Sequence, residues 1–224
     1  MKNRKKTKFK KLCWLSAGSA AVSIIFILLL LYKPAGFTPP QITNSKEVSK
    51  YVTHVLSPQF YNGVQREEPF ELIIPQNRTK DIVELTKWPK ESDSVIFSAP
   101  KVFFVAKSIV LMGTAAAGGV EFVVTVVVKP SMDEEGFLNL RVAKVKIGAM
   151  NITPLVKVIA KRMYQQQLAT TDIDTKDIGA QIVASLLNDE PFEPVFKLED
   201  KNVRIEEIIV MQEKLIIRLV PAPG

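Results

Sequence analysis

Cysteine and histidine are nearly absent from this 224-residue chain, which contains one of each, Cys13 and His54. A single cysteine cannot form an intramolecular disulfide, so the stability of the fold must come from a packed core. Thiolate and histidine-rich zinc sites are excluded, and His54 would have to act alone in any Ser/His/Asp arrangement. We interpret His54 as a solvent-facing residue on a helix.

Catalytic and cofactor-binding motifs are also missing from the sequence. Gly118-Gly119 lies between two predicted strands and indicates a turn, not a phosphate-binding loop. Asp172, Asp174 and Asp177 resemble a calcium loop, but the glycine and the distal glutamate of that motif are absent. We therefore predict a protein that is not an enzyme, with no catalytic, cofactor-binding or metal-binding residues and no cofactor.

Acidic residues are absent from the first 11 positions, which contain the whole charge surplus of the chain. The net charge of +7 equals the number of basic residues there, and residues 12–224 hold 23 basic and 23 acidic residues. The neutral remainder gives no reason to predict nucleic-acid binding. By the positive-inside rule the leader sets the membrane topology, with the N-terminus in the cytoplasm. These residues are Lys2, Arg4, Lys5, Lys6, Lys8, Lys10 and Lys11.

One long apolar run follows this leader. Leu12–Tyr32 is uncharged and 21 residues long, which at the helical rise corresponds to about 31 Å, close to the thickness of a bilayer core. The run is longer than the core of a signal peptide, and Lys33-Pro34-Ala35 places lysine where a cleavage site needs a small residue. We predict an uncleaved single-pass anchor in the cell (inner) membrane, with cleavage as the alternative. The anchor residues that we single out are Leu12, Trp14, Ile24, Ile25, Phe26, Leu31 and Tyr32.

Small residues are concentrated in the first half of the predicted anchor. Ser16 and Ala20, like Ala17 and Ala21, are four positions apart and would lie on one face of a helix. Such pairs allow a second helix to approach closely, which predicts a membrane-protein partner in the cytoplasmic leaflet. An anchor without a specific partner is the simpler interpretation.

The sequence divides into a leader (1–11), an anchor (12–32), a Pro/Gly spacer (33–43) and an extracytoplasmic domain (44–224). The domain begins with a predicted helix that Asn44 can cap and that Ser57-Pro58 ends. A short strand over Phe70–Ile74 and a helix over Thr79–Lys87 follow.

The middle of the chain is rich in β-branched and aromatic residues and predicts an antiparallel meander. Val102–Met112 and Val120–Val128 are apolar on both faces, so both faces should be covered. Within Leu138–Ile147 the apolar positions change parity, which predicts a bulge or a strong bend. The predicted strands are Val95–Ser98, Val102–Met112, Val120–Lys129 and Leu138–Ile147, with turns at Gly113–Gly119 and Pro130–Gly136.

Two amphipathic helices are predicted after the meander. Thr153 caps the first, whose apolar row is Leu155, Ile159 and Met163, and Asp174 caps the second. The buried face of the second helix comprises Ile178, Ile182, Val183, Leu186 and Leu187, and three strands close the chain. The fold class is therefore α+β, a curved antiparallel sheet covered by helices.

A resemblance to a known family rests on three parts of the sequence: Leu138–Val142 (LNLRV), Val145–Pro154 (VKIGAMNITP), and an ending with Pro191, Phe196–Leu198, Val203 and Ile208. From about Phe70 onward this order resembles the YpmS-like proteins of bacteria. The resemblance implies a small, membrane-anchored extracytoplasmic protein without a catalytic motif.

A tethered, apolar-rich domain without a catalytic constellation indicates a non-enzymatic binding or scaffolding role in envelope biogenesis. A groove between the bent sheet and the helices could bind an acyl chain, which makes membrane lipids the expected partners. Ordinary core packing on the second apolar face is the simpler interpretation of the same pattern. The alternative function is an accessory subunit that docks on a larger membrane complex.

Overall fold

The structure is a computed structural model, and it describes residues 18–35, 37–40, 49–66, 68–159, 162 and 178–222. Several predicted features lie outside these residues: the basic leader, Leu12, Trp14, Ser16, Ala17, the Asn44 cap, Met163, Asp172, Asp174 and Asp177.

The domain is mixed α+β, as predicted, but its strands form two antiparallel sheets instead of one. A four-stranded sheet has the order β1-β11-β10-β9, and a seven-stranded sheet has the order β2-β3-β5-β6-β7-β8, with β4 also paired to β5. The strands are β1 Phe70–Pro75, β2 Lys90–Ser92, β3 Val95–Phe97, β4 Lys101–Val105, β5 Ser108–Ala117, β6 Val120–Met132, β7 Leu138–Ile147, β8 Met150–Asn151, β9 Val195–Leu198, β10 Lys201–Met211 and β11 Lys214–Ala222.

Five described helices accompany the sheets. They are α1 (residues 18–30), α2 Ser57–Arg66, α3 Thr79–Val83, α4 (residues 153–159) and α5 Ile178–Asn188. A π-helical segment, Val52–Leu56, leads directly into α2, and a 3-10 turn, Gln76–Arg78, leads into α3.

The predicted meander and bulge are both confirmed. Strands β5 to β8 follow one another as antiparallel neighbours. Val127 pairs with Lys144 and Val128 with Val142, so Ala143 is the extra residue of a bulge. The bulge lies where the apolar positions of β7 change parity. The extra residue shifts the alternation of side chains by one position, so the apolar side chains before and after it lie on the same face of the sheet.

Three predicted strand boundaries are wrong. Strand β5 continues to Ala117, so only Gly118-Gly119 of the predicted turn Gly113–Gly119 is a turn. The run Val102–Met112 is a hairpin of β4 and β5, with Lys107 in the left-handed region (φ +61°) at the turn. Lys107-Ser108 is the only polar interruption of the run, which has no glycine, proline, asparagine or aspartate to mark the reversal. The predicted turn at Pro130 is instead part of β6, where Pro130 pairs with Leu140. Since β5 pairs with β6 only as far as Val128, the missing N–H of Pro130 costs no hydrogen bond to β5.

The first domain helix does not end at Ser57-Pro58, as predicted. The backbone N–H of Ser57 donates to the carbonyl of Val52, an i→i−5 bond, and the α-helical segment continues to Arg66. Because the bonding pattern changes there, Pro58 occupies the first turn of the α-helical segment, where a missing N–H costs least.

The hydrophobic core consists of two clusters. The larger joins α2 and α5 to both sheets and contains Val64, Leu72, Leu138, Phe192, Val203, Ile205 and Leu219. The smaller lies where β4 packs against β10 and β11 and contains Phe104, Val210 and Leu215. The two sheets are therefore held together by side chains from the inner face of each.

Part of the predicted helix burial is wrong. On α4, Leu155 and Ile159 are exposed, and on α5 Val183 is exposed while Ala184 and Ser185 are buried. Thr153 does not cap α4 through its side chain. Its hydroxyl accepts a hydrogen bond from the backbone N–H of Val145 (2.7 Å) and so fastens the start of α4 to β7.

Candidate functional site

A cavity of about 520 Å³ lies where the spacer passes the turn between β1 and α3. It opens between the spacer, the start of β4 and the turn that joins β10 to β11. Its lining residues are Thr38, Pro40, Pro75, Gln76, Asn77, Thr79, Lys80, Val83, Pro100, Lys101, Val102 and Glu213. The volume is in the range of small-molecule sites.

Gln76 joins the walls of this cavity. Its side-chain Oε1 accepts a hydrogen bond from the backbone N–H of Phe104 (2.7 Å), and its backbone N–H donates to the carbonyl of Glu213 (2.8 Å). The hydroxyl of Thr79 donates to the Gln76 carbonyl at 2.7 Å. One residue thereby ties β4, the β10–β11 turn and α3 together, so these walls are pre-formed.

Three charged side chains line the same cavity. The ammonium of Lys80 is 3.5 Å from Glu84 Oε1, and that of Lys101 is 5.2 Å from the ring centroid of Phe103. Glu213 contributes a carboxylate from the β10–β11 turn. Since Glu84 already pairs with Lys80, the apolar walls and the Lys101 ammonium suit an amphiphile with an acidic head group. A charge-assisted contact to Lys101 would orient the head while the apolar part is buried.

Beside the cavity, the residues after the spacer dock on α3. Ser49 Oγ donates to Asp81 Oδ1 (2.6 Å), and the Arg78 guanidinium is 5.4 Å from the ring centroid of Tyr51. Burial raises the pKa of the Tyr51 phenol above its usual 10.0, while the nearby Arg78 lowers it and Asp81 raises it. The phenol is therefore protonated at neutral pH and can donate a hydrogen bond.

The end of α1 contacts the domain at the turn between β7 and β8. The backbone N–H of Ala149 donates to the carbonyl of Leu29 (2.8 Å), and Lys33 Nζ is 2.9 Å from Glu121 Oε1. Gly148 has φ +58°, and a Cβ there would overlap the carbonyl oxygens of Leu29 and Leu30. A glycine is therefore required where the two backbones meet.

The predicted anchor residues within the described part of the chain are all exposed: Ile24, Ile25, Phe26, Leu31 and Tyr32. Ala20 and Ala21, which we predict as helix-contact residues, are exposed on α1. Among the described residues, no helix is both long and apolar enough to cross a membrane. The first six residues of the predicted anchor, 12–17, lie outside them.

His54 and Asp133 make local hydrogen bonds with neighbouring residues in the structure. His54 is exposed, as predicted, and its Nδ1 is 2.7 Å from the hydroxyl of Thr53. Asp133 Oδ1 accepts hydrogen bonds from the backbone N–H groups of Glu135 and Phe137, so this carboxylate stabilises the turn between β6 and β7. In the described ranges, no three His, Cys, Asp or Glu residues are grouped so that they could bind a metal ion.

Sequence reasoning missed the cavity residues, because Gln76, Lys80, Lys101 and Glu213 share no motif and are far apart in the chain.

Comparisons with protein-family models, with curated proteins and with solved structures found no match. The similarity to the YpmS-like proteins therefore stays a prediction.

Proposed function

We propose that this chain is a single-pass protein of the cell (inner) membrane that has a non-enzymatic binding or scaffolding role in envelope biogenesis. Its N-terminus is cytoplasmic, and its extracytoplasmic α+β domain binds a lipid-like amphiphile with an acidic head group. The single observation that carries the proposal is the cavity between the spacer, α3 and β4, which has both apolar walls and lysine ammonium groups.

The position of the cavity along the chain supports a membrane-derived ligand. Thr38 is part of its lining and is only six residues beyond Tyr32, the end of the predicted anchor. Six extended residues span at most about 22 Å. The Thr38 side of the cavity is therefore no more than about 22 Å from the end of the predicted anchor.

Replacing Lys101 with glutamate is expected to lower retention of the ligand about tenfold, because one charge-assisted contact contributes about 1.5 kcal/mol. The measurement is native mass spectrometry of the full-length protein in mild detergent, scoring retained lipids and proteins together. Lys129→Glu, an exposed lysine on β6 outside the cavity lining, is the matched control. Equal lipid retention by the wild type and Lys101→Glu would contradict this binding site.

The alternative, an accessory subunit on a larger membrane complex, is favoured by the outer face of the four-stranded sheet. Ile73 pairs with Ile216, which pairs with Ile209 on its other side, so the three side chains share one face. Ile73, Ile209 and Met211 are exposed there. Ala20 and Ala21 of α1 would add a contact within the membrane.

A photo-crosslinking residue at Ile209 distinguishes this alternative. If the chain is an accessory subunit, crosslinking in native membranes should give one specific protein adduct at Ile209. Val183, an apolar residue of similar exposure on α5, is the control and should give none. The absence of an adduct at Ile209, with lipid retained in the cavity, would reject the alternative.

A further inference from the structure

The stretch of sequence around Ala149, which contacts Leu29 at the end of α1 (the anchor contact), contains basic residues but no acidic ones. From Gly136 to Thr171 the chain contains no aspartate or glutamate but six basic residues. The balance of positive and negative charge over the rest of the domain conceals this local asymmetry. The basic residues are Arg141, Lys144, Lys146, Lys157, Lys161 and Arg162.

Helix α4 lies within this basic part and presents an apolar row to the outside. Leu155, Val158 and Ile159 are 59%, 54% and 47% exposed, and their spacing of three and four residues places them on one face. Arg162, seven positions after Leu155 in the sequence, is also exposed. On another side, Lys157 Nζ is 2.9 Å from Asp189 Oδ2 at the end of α5, which holds the helix in this orientation.

The anchor contact places α4 beside the end of the apolar helix. Ala149 is hydrogen-bonded to Leu29, and α4 begins four residues later. Four residues span at most about 14 Å. Residues 18–29 of α1 are exposed, so only the last turn of α1 touches the domain. The start of α4 is thus held at the level where the predicted anchor leaves the membrane.

We propose that the α4 face, defined as Leu155, Val158 and Ile159, lies in the head-group region of the extracytoplasmic leaflet. An apolar row flanked by basic residues is typical of interfacial helices, whose apolar side chains enter the boundary of the acyl chains. Lys144, exposed on β7, adds positive charge that complements anionic phospholipid head groups. Binding of the α4 face to the head groups fixes the orientation of the domain relative to the membrane. This inference rests on the proposed membrane anchorage.

The test uses the full-length chain in vesicles of phosphatidylethanolamine and phosphatidylglycerol. An environment-sensitive fluorophore is attached at Leu155→Cys in a Cys13→Ser background, and the vesicles contain lipids with a nitroxide near the head group. We expect strong quenching and a blue shift at Leu155. Replacing both Lys144 and Arg162 with glutamine should lower the docked-to-undocked ratio about fivefold for each charge removed.

Val105→Cys is the matched control, since Val105 is 52% exposed. It lies in the β4–β5 hairpin, near Val128 where the pairing of β5 with β6 ends, whereas Lys33 contacts β6 at Glu121. Those two points of β6 are separated by about 23 Å at the rise of a strand. We expect no quenching at Val105.

Three results would overturn the inference. Quenching at Leu155 no stronger than at Val105, in vesicles that retain the protein after a high-salt wash, would show an anchored but undocked domain. A blue shift without quenching would show that another part of this chain covers α4. A shift that depends on protein concentration would show a second copy. Loss of the protein from vesicles in the same wash would instead contradict the anchorage itself.

Discussion

Replacing Phe104 with alanine is expected to lower the free energy of unfolding by about 3–5 kcal/mol, the largest effect of any single truncation that we predict. Phe104 is only 4% exposed and packs with Val210 and Leu215 where the two sheets meet. Truncation would leave a cavity between β4 and the β10–β11 hairpin. Since a domain is stable by only about 5–15 kcal/mol, much of its margin would be lost.

Phe97→Ala is the control for this prediction, because it removes the same atoms from a phenylalanine that is 37% exposed on β3. Its cost should be less than half as large. Chemical denaturation of the full-length protein in detergent, followed by tryptophan fluorescence, measures both. Equal costs would show that the smaller core cluster does not hold the sheets together.

Replacing Gly148 with alanine is expected to separate the domain from the end of α1. The left-handed conformation (φ +58°) costs a non-glycine residue about 1–2 kcal/mol. In addition, the new Cβ would overlap the backbone carbonyl oxygens of Leu29 and Leu30, which cannot rotate away as a side chain can. The hydrogen bond from Ala149 N–H to the Leu29 carbonyl should therefore break.

Hydrogen exchange of the Ala149 amide measures this separation, and we expect its protection to fall by about tenfold or more as the contact opens. Gly118→Ala is a close control: its φ is +56°, and among the described residues no atom lies within 4 Å of the new Cβ. It carries the same backbone strain without the close approach. Unchanged protection of Ala149 in Gly148→Ala would contradict the anchor contact.

The two glycines also show the limit of sequence reasoning in this chain. Gly118 is recognisable as a turn because it adjoins a second glycine between two apolar strands. Gly148 has a similar backbone conformation, but a side chain there is also excluded by the backbone of Leu29 and Leu30, more than 100 residues earlier in the chain. No local pattern can show such an approach.

The same distinction explains which parts of the fold were predictable. The apolar residues of β7 alternate, and their parity changes once, at the Ala143 bulge. Both features can be read from a few neighbouring residues, so the sequence predicts them. The sequence did not predict the hairpin that divides Val102–Met112. Apolar residues occupy both faces of this run, so their pattern does not show where the chain reverses. The burial of α4 was mispredicted for a related reason: an amphipathic face predicts a partner but does not name it.

The sequence by itself determined the α+β class, the antiparallel meander and the bulge in β7, because each follows from residue periodicity. The membrane anchor stays a prediction from an uninterrupted apolar run. Only the tertiary structure decided the division into two sheets, the cavity around Gln76 and Lys101, and the outward direction of Leu155 and Ile159. These features bring together segments that are distant in the chain. Their energies therefore depend on three-dimensional packing and not on the order of neighbouring residues.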